Sequence, residues 1–334
     1  VEDRKNKIEG IFMKQSRLDY MDLAKGIGIL AVILGHVYKN TVFGTLLYSF
    51  HLPLFFLISG YFFHYIPDYW VFLKKKLRNY LIPYAGCSLF LAAFHFVYSK
   101  GDLASTGELL RKFVVQKRYS TLWFLAALLL AEILFWFVCR FCEKNLKLLV
   151  FLCVSISVVF MLFDNITGIS LYWNLDTAFI VLLYLSVGYA LKEKGLLSRL
   201  TAARHKTAWL FCLLLSSLSF TGINILLGFD TLEMFRCHYG CIPLTTAAAI
   251  TGSLFVILLC SCFSCKILTF LGQNTFPFFA FHQDIGMVAA HWLLWKFSIS
   301  GWIYAPATFI LAMVICTLIY FILTRLHLGF LIGK

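Results

Sequence analysis

The sequence predicts an all-α polytopic membrane protein of about ten transmembrane helices, with both termini cytoplasmic. Three observations predict it. The chain of 334 residues is 61% hydrophobic and only 13% charged, whereas a soluble domain is about 45–50% apolar and 25% charged. The apolar residues, Phe foremost with 35 copies, gather in runs near the roughly 20 residues that a spanning helix needs. The basic residues of a chain with net charge +13 sit mostly in short clusters between those runs, which is the positive-inside pattern and not a nucleic-acid surface. Backbone groups in lipid must pair within their own segment, so the spans are helices, and the ten-residue alternating segments of a barrel are absent.

Reading apolar runs between charge or turn signals places the spans in order. The first, 22–39, carries Asp22, Lys25 and His36. The second, 46–65, opens with Ser49-Phe-His51-Leu-Pro53. The third, 80–99, follows the basic cluster Lys74–Arg78. The fourth, 121–139, opens with Leu122-Trp123-Phe124-Leu125. The fifth, 147–163, and sixth, 175–191, are separated from their neighbours by Arg140, Lys144 and Lys147 and by Lys192 and Lys194. The seventh, 207–227, follows Arg204 and Lys206. A loop with Cys237, His238 and Cys241 leads into the eighth, 242–263. The ninth, 276–296, carries His282, and the tenth, 303–323, ends before Arg325. The chain divides into a tail over 1–20, one membrane domain over 21–325 and a tail over 326–334.

A cytoplasmic N-terminus puts 21 of the 29 Lys and Arg residues on the cytoplasmic side, the sign of correct orientation. The exception is the basic 100–120 loop, either an anion-attracting surface or an ordinary solvated face. The first twenty residues have no apolar run with a small-residue cleavage site, so the first helix is expected to direct insertion. Most of the 11 Cys lie inside apolar runs and read as small packing residues. No CxxC pair has zinc spacing with matching partners, and no metal is expected. Cys237 and Cys241 leave a disulfide or metal pair as the alternative at that loop.

Ionisable residues inside a span are costly and mark function. Asp22 and Lys25, at i,i+3, can pair on one helix face. Lys25 and His36 are eleven residues apart, within about 20° of one face and roughly 16 Å apart along the axis. Gly26, Gly28 and Gly35 leave room beside this stripe for a ligand or a helix. His51 falls near the depth of His36, and imidazole is suited to general-base work near neutral pH.

With these motifs the sequence resembles the acyltransferase-3 family of integral membrane acyltransferases, closest to its sugar O-acetylase branch. The shared features are a basic residue, ten others and a His (Lys25 to His36, where the family more often has Arg); Phe55-Phe56-Leu57-Ile58-Ser59-Gly60-Tyr61; the basic stretch Lys74–Arg78 with Pro83-Tyr84; and Leu122-Trp123-Phe124-Leu125. Leu271-Gly272-Gln273-Asn274-Thr275 leading to His282, and Trp173-x-Leu175-Asp176-Thr177-Ala178, complete the set. The likeness covers residues 17–325.

The resemblance implies a membrane O-acetyltransferase of the bacterial cell membrane. It would move acetyl from cytoplasmic acetyl-CoA to a hydroxyl of an extracytoplasmic or lipid-linked carbohydrate of the cell surface. It implies His36 as catalytic base or transient acyl carrier, with Asp22 orienting Lys25. It puts Lys25, Arg78, Lys75 and Lys76 on the CoA phosphates, and His51, Ser59, Trp123, Asn274 and His282 around the acceptor, with Asn274 capping or polarising the entry to the ninth span. Each has a structural alternative: an interfacial belt for Trp123, snorkelling for His282, a positive-inside cluster for Arg78. The implied partners are acetyl-CoA, a carbohydrate acceptor and membrane lipids, with no nucleic acid. A homo-oligomer stays open, because lipid-facing and partner-facing apolar surfaces share one chemistry. The rival readings are a secondary transporter, or transfer of succinyl, or transfer to a peptidoglycan or amino-acid acceptor.

Overall fold

The computed structural model describes residues 2–332, with side chains from Asp19 to Leu331. The basic side chains expected in the N-terminal tail, Arg4 to Arg17, and Lys334 lie outside the described residues. Among the described residues the chain is helical throughout, with one isolated bridge between Glu233 and His238. Among the described residues, nine helices are long and apolar enough to cross a membrane: Asp19–Val37, Val42–Phe62, Tyr69–Tyr98, Trp123–Cys142, Leu146–Thr167, Tyr172–Glu193, Lys206–Leu226, Ile242–Cys260 and Gly301–Arg325.

The ninth expected span, 276–296, is not one of these. It runs as Thr275–Phe281, a π turn over His282–Met287, and Val288–Lys296, and a short helix, Lys266–Gln273, precedes it. The polar triplet His282-Gln283-Asp284 in its middle lowers its hydropathy, and a break at Asn274 separates it from Lys266–Gln273, which we count with it. We call it the ninth, broken span and Gly301–Arg325 the tenth.

Two boundaries differ from the sequence reading for a physical reason. The third span begins at Tyr69, eleven residues before 80, because Asp68 caps it by accepting from the Val71 amide at 2.9 Å. The basic cluster Lys74–Arg78 is therefore helical, not a loop, and a π turn follows at Leu77–Leu81. From Glu2 onward the expected tail is also helical, since the first helix runs Glu2–Val37. At the other end the segment Gly329–Ile332 folds back on the third span, where Leu331 packs against Gly86 and its carbonyl accepts from Cys87.

Helices in lipid gain little from apolar contact alone, so close approach depends on small residues. A Cβ on Gly60 would meet the carbonyl oxygen of Leu185, so the second and sixth spans touch backbone to backbone. Gly26 makes the same contact with Leu268, and Gly272 with Asp22, which seals the first span to the start of the ninth. The space beside the polar stripe thus belongs to a neighbouring helix at Gly26, and to the rings of Phe55 and Tyr48 at Gly28 and Gly35.

Candidate active site

The broken second and ninth spans put two imidazoles beside His36 at the end of the first. The second span breaks at Ser49–Phe50, and His51 starts its second piece. His51 Nδ1 lies 2.7 Å from the Leu47 carbonyl. His282 opens the π turn, a device found often at functional sites, and its Nδ1 lies 2.9 and 3.1 Å from the carbonyls of Phe279 and Phe278. A carbonyl only accepts, so in both rings Nδ1 carries the hydrogen and Nε2 keeps a lone pair. His282 is fully buried and its Nε2 has no partner among the described residues. Its ring centre is 5.1 Å from that of His36. Tyr48 stands between the other two: its hydroxyl is 3.4 Å from His36 Nδ1, and its ring meets His51 edge-on at 4.8 Å.

These groups line a cavity of about 470 Å³. Trp123, Tyr119 and Phe235 give it aromatic walls, and Ser120, Asp284 and Glu233 give it polar groups. Ser120 donates to Asp284, and Lys39 pairs with Glu233 at 2.7 Å, tying the turn after the first span to the 227–241 loop.

A second cavity of about 300 Å³ opens at the other end of the same helix face, lined by Lys25, Ser59, Asn79, Tyr80 and Asn274. Phe279 lines both cavities. Lys25 is 2.5 Å from Asp22. Asn79, Tyr80 and Pro83 continue from this cavity into a wider surface recess with Lys74, Lys75, Arg78 and Phe330.

The structure therefore sorts the residues expected from sequence. His36, His51, Trp123 and His282 meet in one cavity. Trp123 is buried there and not in an interfacial belt, and His282 is locked to backbone carbonyls and does not snorkel. Ser59 and Asn274, expected at the acceptor, lie in the Lys25 cavity instead. Asn274 caps the end of Lys266–Gln273 by donating to Phe270 at 2.7 Å, and not the start of the following helix. Asp22 lines neither cavity; fourteen residues before His36, it is roughly 21 Å away along the axis. Lys75 and Arg78 face the basic recess. Lys76 turns inward to pair with buried Glu132 at 2.6 Å among the rings of Phe63, Phe72 and Tyr80.

One cluster had no signal in the sequence reading. Arg118, a member of the basic 100–120 loop, is buried in the wall of the His36 cavity. Its guanidinium donates to Asp164 (3.2 Å), Asp176, Thr177 and the Met234 carbonyl, and touches Cys237. Tyr239 adds a bond to Asp164 at 3.1 Å. Asp164, Asp176 and Cys237 have ligand atoms within 4.8 Å of one another, a spacing fit for a cation, and the guanidinium sits among them. Burial pushes the Cys237 thiol up to about 11 despite the adjacent Arg118, so it stays protonated. All 11 cysteines, Cys237 and Cys241 included, are free thiols. Its members lie 46, 58 and 119 residues from Arg118, and no local pattern links them.

Among known proteins, the chain matches a family model described as an acyltransferase domain over residues 18–321. No curated protein and no solved structure matches it.

Proposed function

The chain belongs to the acyltransferase-3 family, and from that membership we propose that it is a membrane O-acetyltransferase acting through the His36 cavity. In this reading acetyl-CoA docks from the cytoplasm at the Lys25 end and a carbohydrate hydroxyl enters at the His36 end. The single observation that carries it is the arrangement on the first span: Lys25 lines one cavity, His36 the other, and Phe279 lines both.

Each end suits its ligand. Lys74, Lys75 and Arg78 line the recess that leads to Lys25, and clustered cations favour phosphates. The His36 cavity joins aromatic walls to hydroxyl and carboxylate groups, a combination that orients polyols. A hydroxyl attacks a thioester only as its proton leaves, and a neutral imidazole nitrogen is the group to take it. His36 takes this role, with Tyr48 fixing its ring. His282 Nε2 offers a second lone pair to the acceptor. The acyl carbon–sulfur bond breaks, a carbon–oxygen bond forms, and the proton passes through His36 to the departing sulfur, so CoA leaves as the thiol.

The test is His36→Ala. The variant should insert normally and lose about 100- to 10,000-fold in transfer rate, read as CoA thiol release and as the acetyl mass increment on surface glycans. A variant that inserts and acetylates at the wild-type rate removes His36 from the mechanism.

A further inference from the structure

We propose that the rings of Phe55, Phe124 and Phe279 form an acyl filter between the two cavities, passing a small uncharged acyl group and rejecting a charged or branched one. This rests on the acyl-transfer reading above.

Four elements line the Lys25 cavity with one part and the His36 cavity with the next. The first span offers Lys25 and then His36, the second Ser59 and His51, the fourth Leu128 and Trp123, and the ninth Pro277 and His282. On three of them the changeover falls at or beside a phenylalanine. Phe124 is the middle ring, 4.9 Å from Phe279 and 6.1 Å from Phe55 between centres. Phe124 and Phe279 are both buried. The boundary is thus an aromatic contact, and in this proposal the acyl group passes these rings on its way from Lys25 to His36.

Charge beyond the rings points the same way. The cations lining the His36 cavity, Lys39 and Arg118, are already paired with Glu233 and with Asp164 and Asp176. Asp284 has a hydroxyl for a partner, Ser120. A succinyl group would strip its carboxylate of water at the rings and then face the carboxylates of Asp284 and Glu233, where the described lining cations already hold carboxylate partners. An acetyl group meets neither cost. A branched group of the same polarity is stopped by width alone.

The step filtered is the transfer already written: the acyl carbon leaves sulfur for the acceptor oxygen, and CoA departs as the thiol. The filter acts on the thioester end before that exchange.

The experiment supplies radiolabelled acetyl-, isobutyryl- or succinyl-CoA to detergent-opened membrane vesicles from cells making the full chain, which hold the native acceptor. Label in the glycan fraction is counted. Wild type should transfer isobutyryl and succinyl at least tenfold less than acetyl. Phe279→Ala should raise the isobutyryl-to-acetyl ratio at least tenfold while succinyl lags behind, because the gap widens but stays apolar. Phe279→Trp should cut acetyl transfer at least tenfold while vesicles retain labelled acetyl-CoA. Ratios are insensitive to partial loss of folded protein, and Phe124→Leu reports on the same gap if Phe279→Ala does not fold. Wild type using succinyl as well as acetyl, or variants keeping the wild-type ratios, overturns the filter and leaves acyl transfer standing. Wild type transferring none of the three overturns the acyl-transfer reading and the filter with it.

Discussion

The Tyr48 hydroxyl, 3.4 Å from His36 Nδ1, holds the His36 ring by that nitrogen. Removing it costs one weak hydrogen bond, about 0.5–1.5 kcal/mol. Tyr48→Phe should therefore lower the transfer rate roughly two- to tenfold, far less than His36→Ala, with the thermal midpoint in detergent lowered by no more than a few degrees. The lysine and histidine of the first span were legible in sequence because both sit on one continuous helix, where residue number converts directly into angle and depth. His51 and His282 were legible as intramembrane imidazoles, but their hydrogen-bonded tautomers were not. Those depend on carbonyls three and four residues back, at breaks in the helices. Lys76 was misplaced for a related reason: the cluster around it is helical, and one face of that helix points at Glu132.

Among the elements, the loops around the His36 cavity are held by Arg118, whose partners come from the fifth span, the sixth span and the 227–241 loop. Taking away one member of a buried ionic group leaves the others uncompensated, at a cost of about 3–5 kcal/mol. Arg118→Ala should lower the melting temperature in detergent far more than Arg111→Ala, whose bond to Glu108 is exposed. Close helix contact is equally specific. Gly60→Ala would drive a methyl into the Leu185 carbonyl, and overpacking of this kind costs about 1–3 kcal/mol, readable in the same melt. Continuous spans were legible because length and apolarity define them. The ninth was located, but its π turn and the short helix before Asn274 were not read, because both depend on packing against other helices. The Arg118 cluster was invisible because its members lie 46 and 58 residues away from Arg118.

For the molecule as a whole, the proposed orientation has a direct check. Cys262 is exposed in the connection at the Lys25 end. In a variant keeping only this cysteine, a membrane-impermeant thiol reagent should label everted vesicles and spare intact cells; the reverse pattern inverts the topology. Replacing Lys75 and Arg78 together by Ala should raise the KM for acetyl-CoA several-fold at low salt, an effect that shrinks as salt screens the recess. The fold class was legible because composition reports the solvent; the pairing of first and ninth spans was not, since it brings Gly26 to Leu268 across most of the chain. That pairing has a price in time. A ribosome delivers the first helix long before the ninth exists, so for most of synthesis the polar stripe has no permanent neighbour. The ion pair of Asp22 with Lys25 lies within that one helix, and it neutralises the stripe from the moment the helix forms. Its first service is to the unfinished protein: Asp22→Ala should leave more newborn chain to quality-control proteolysis before any effect on catalysis is felt.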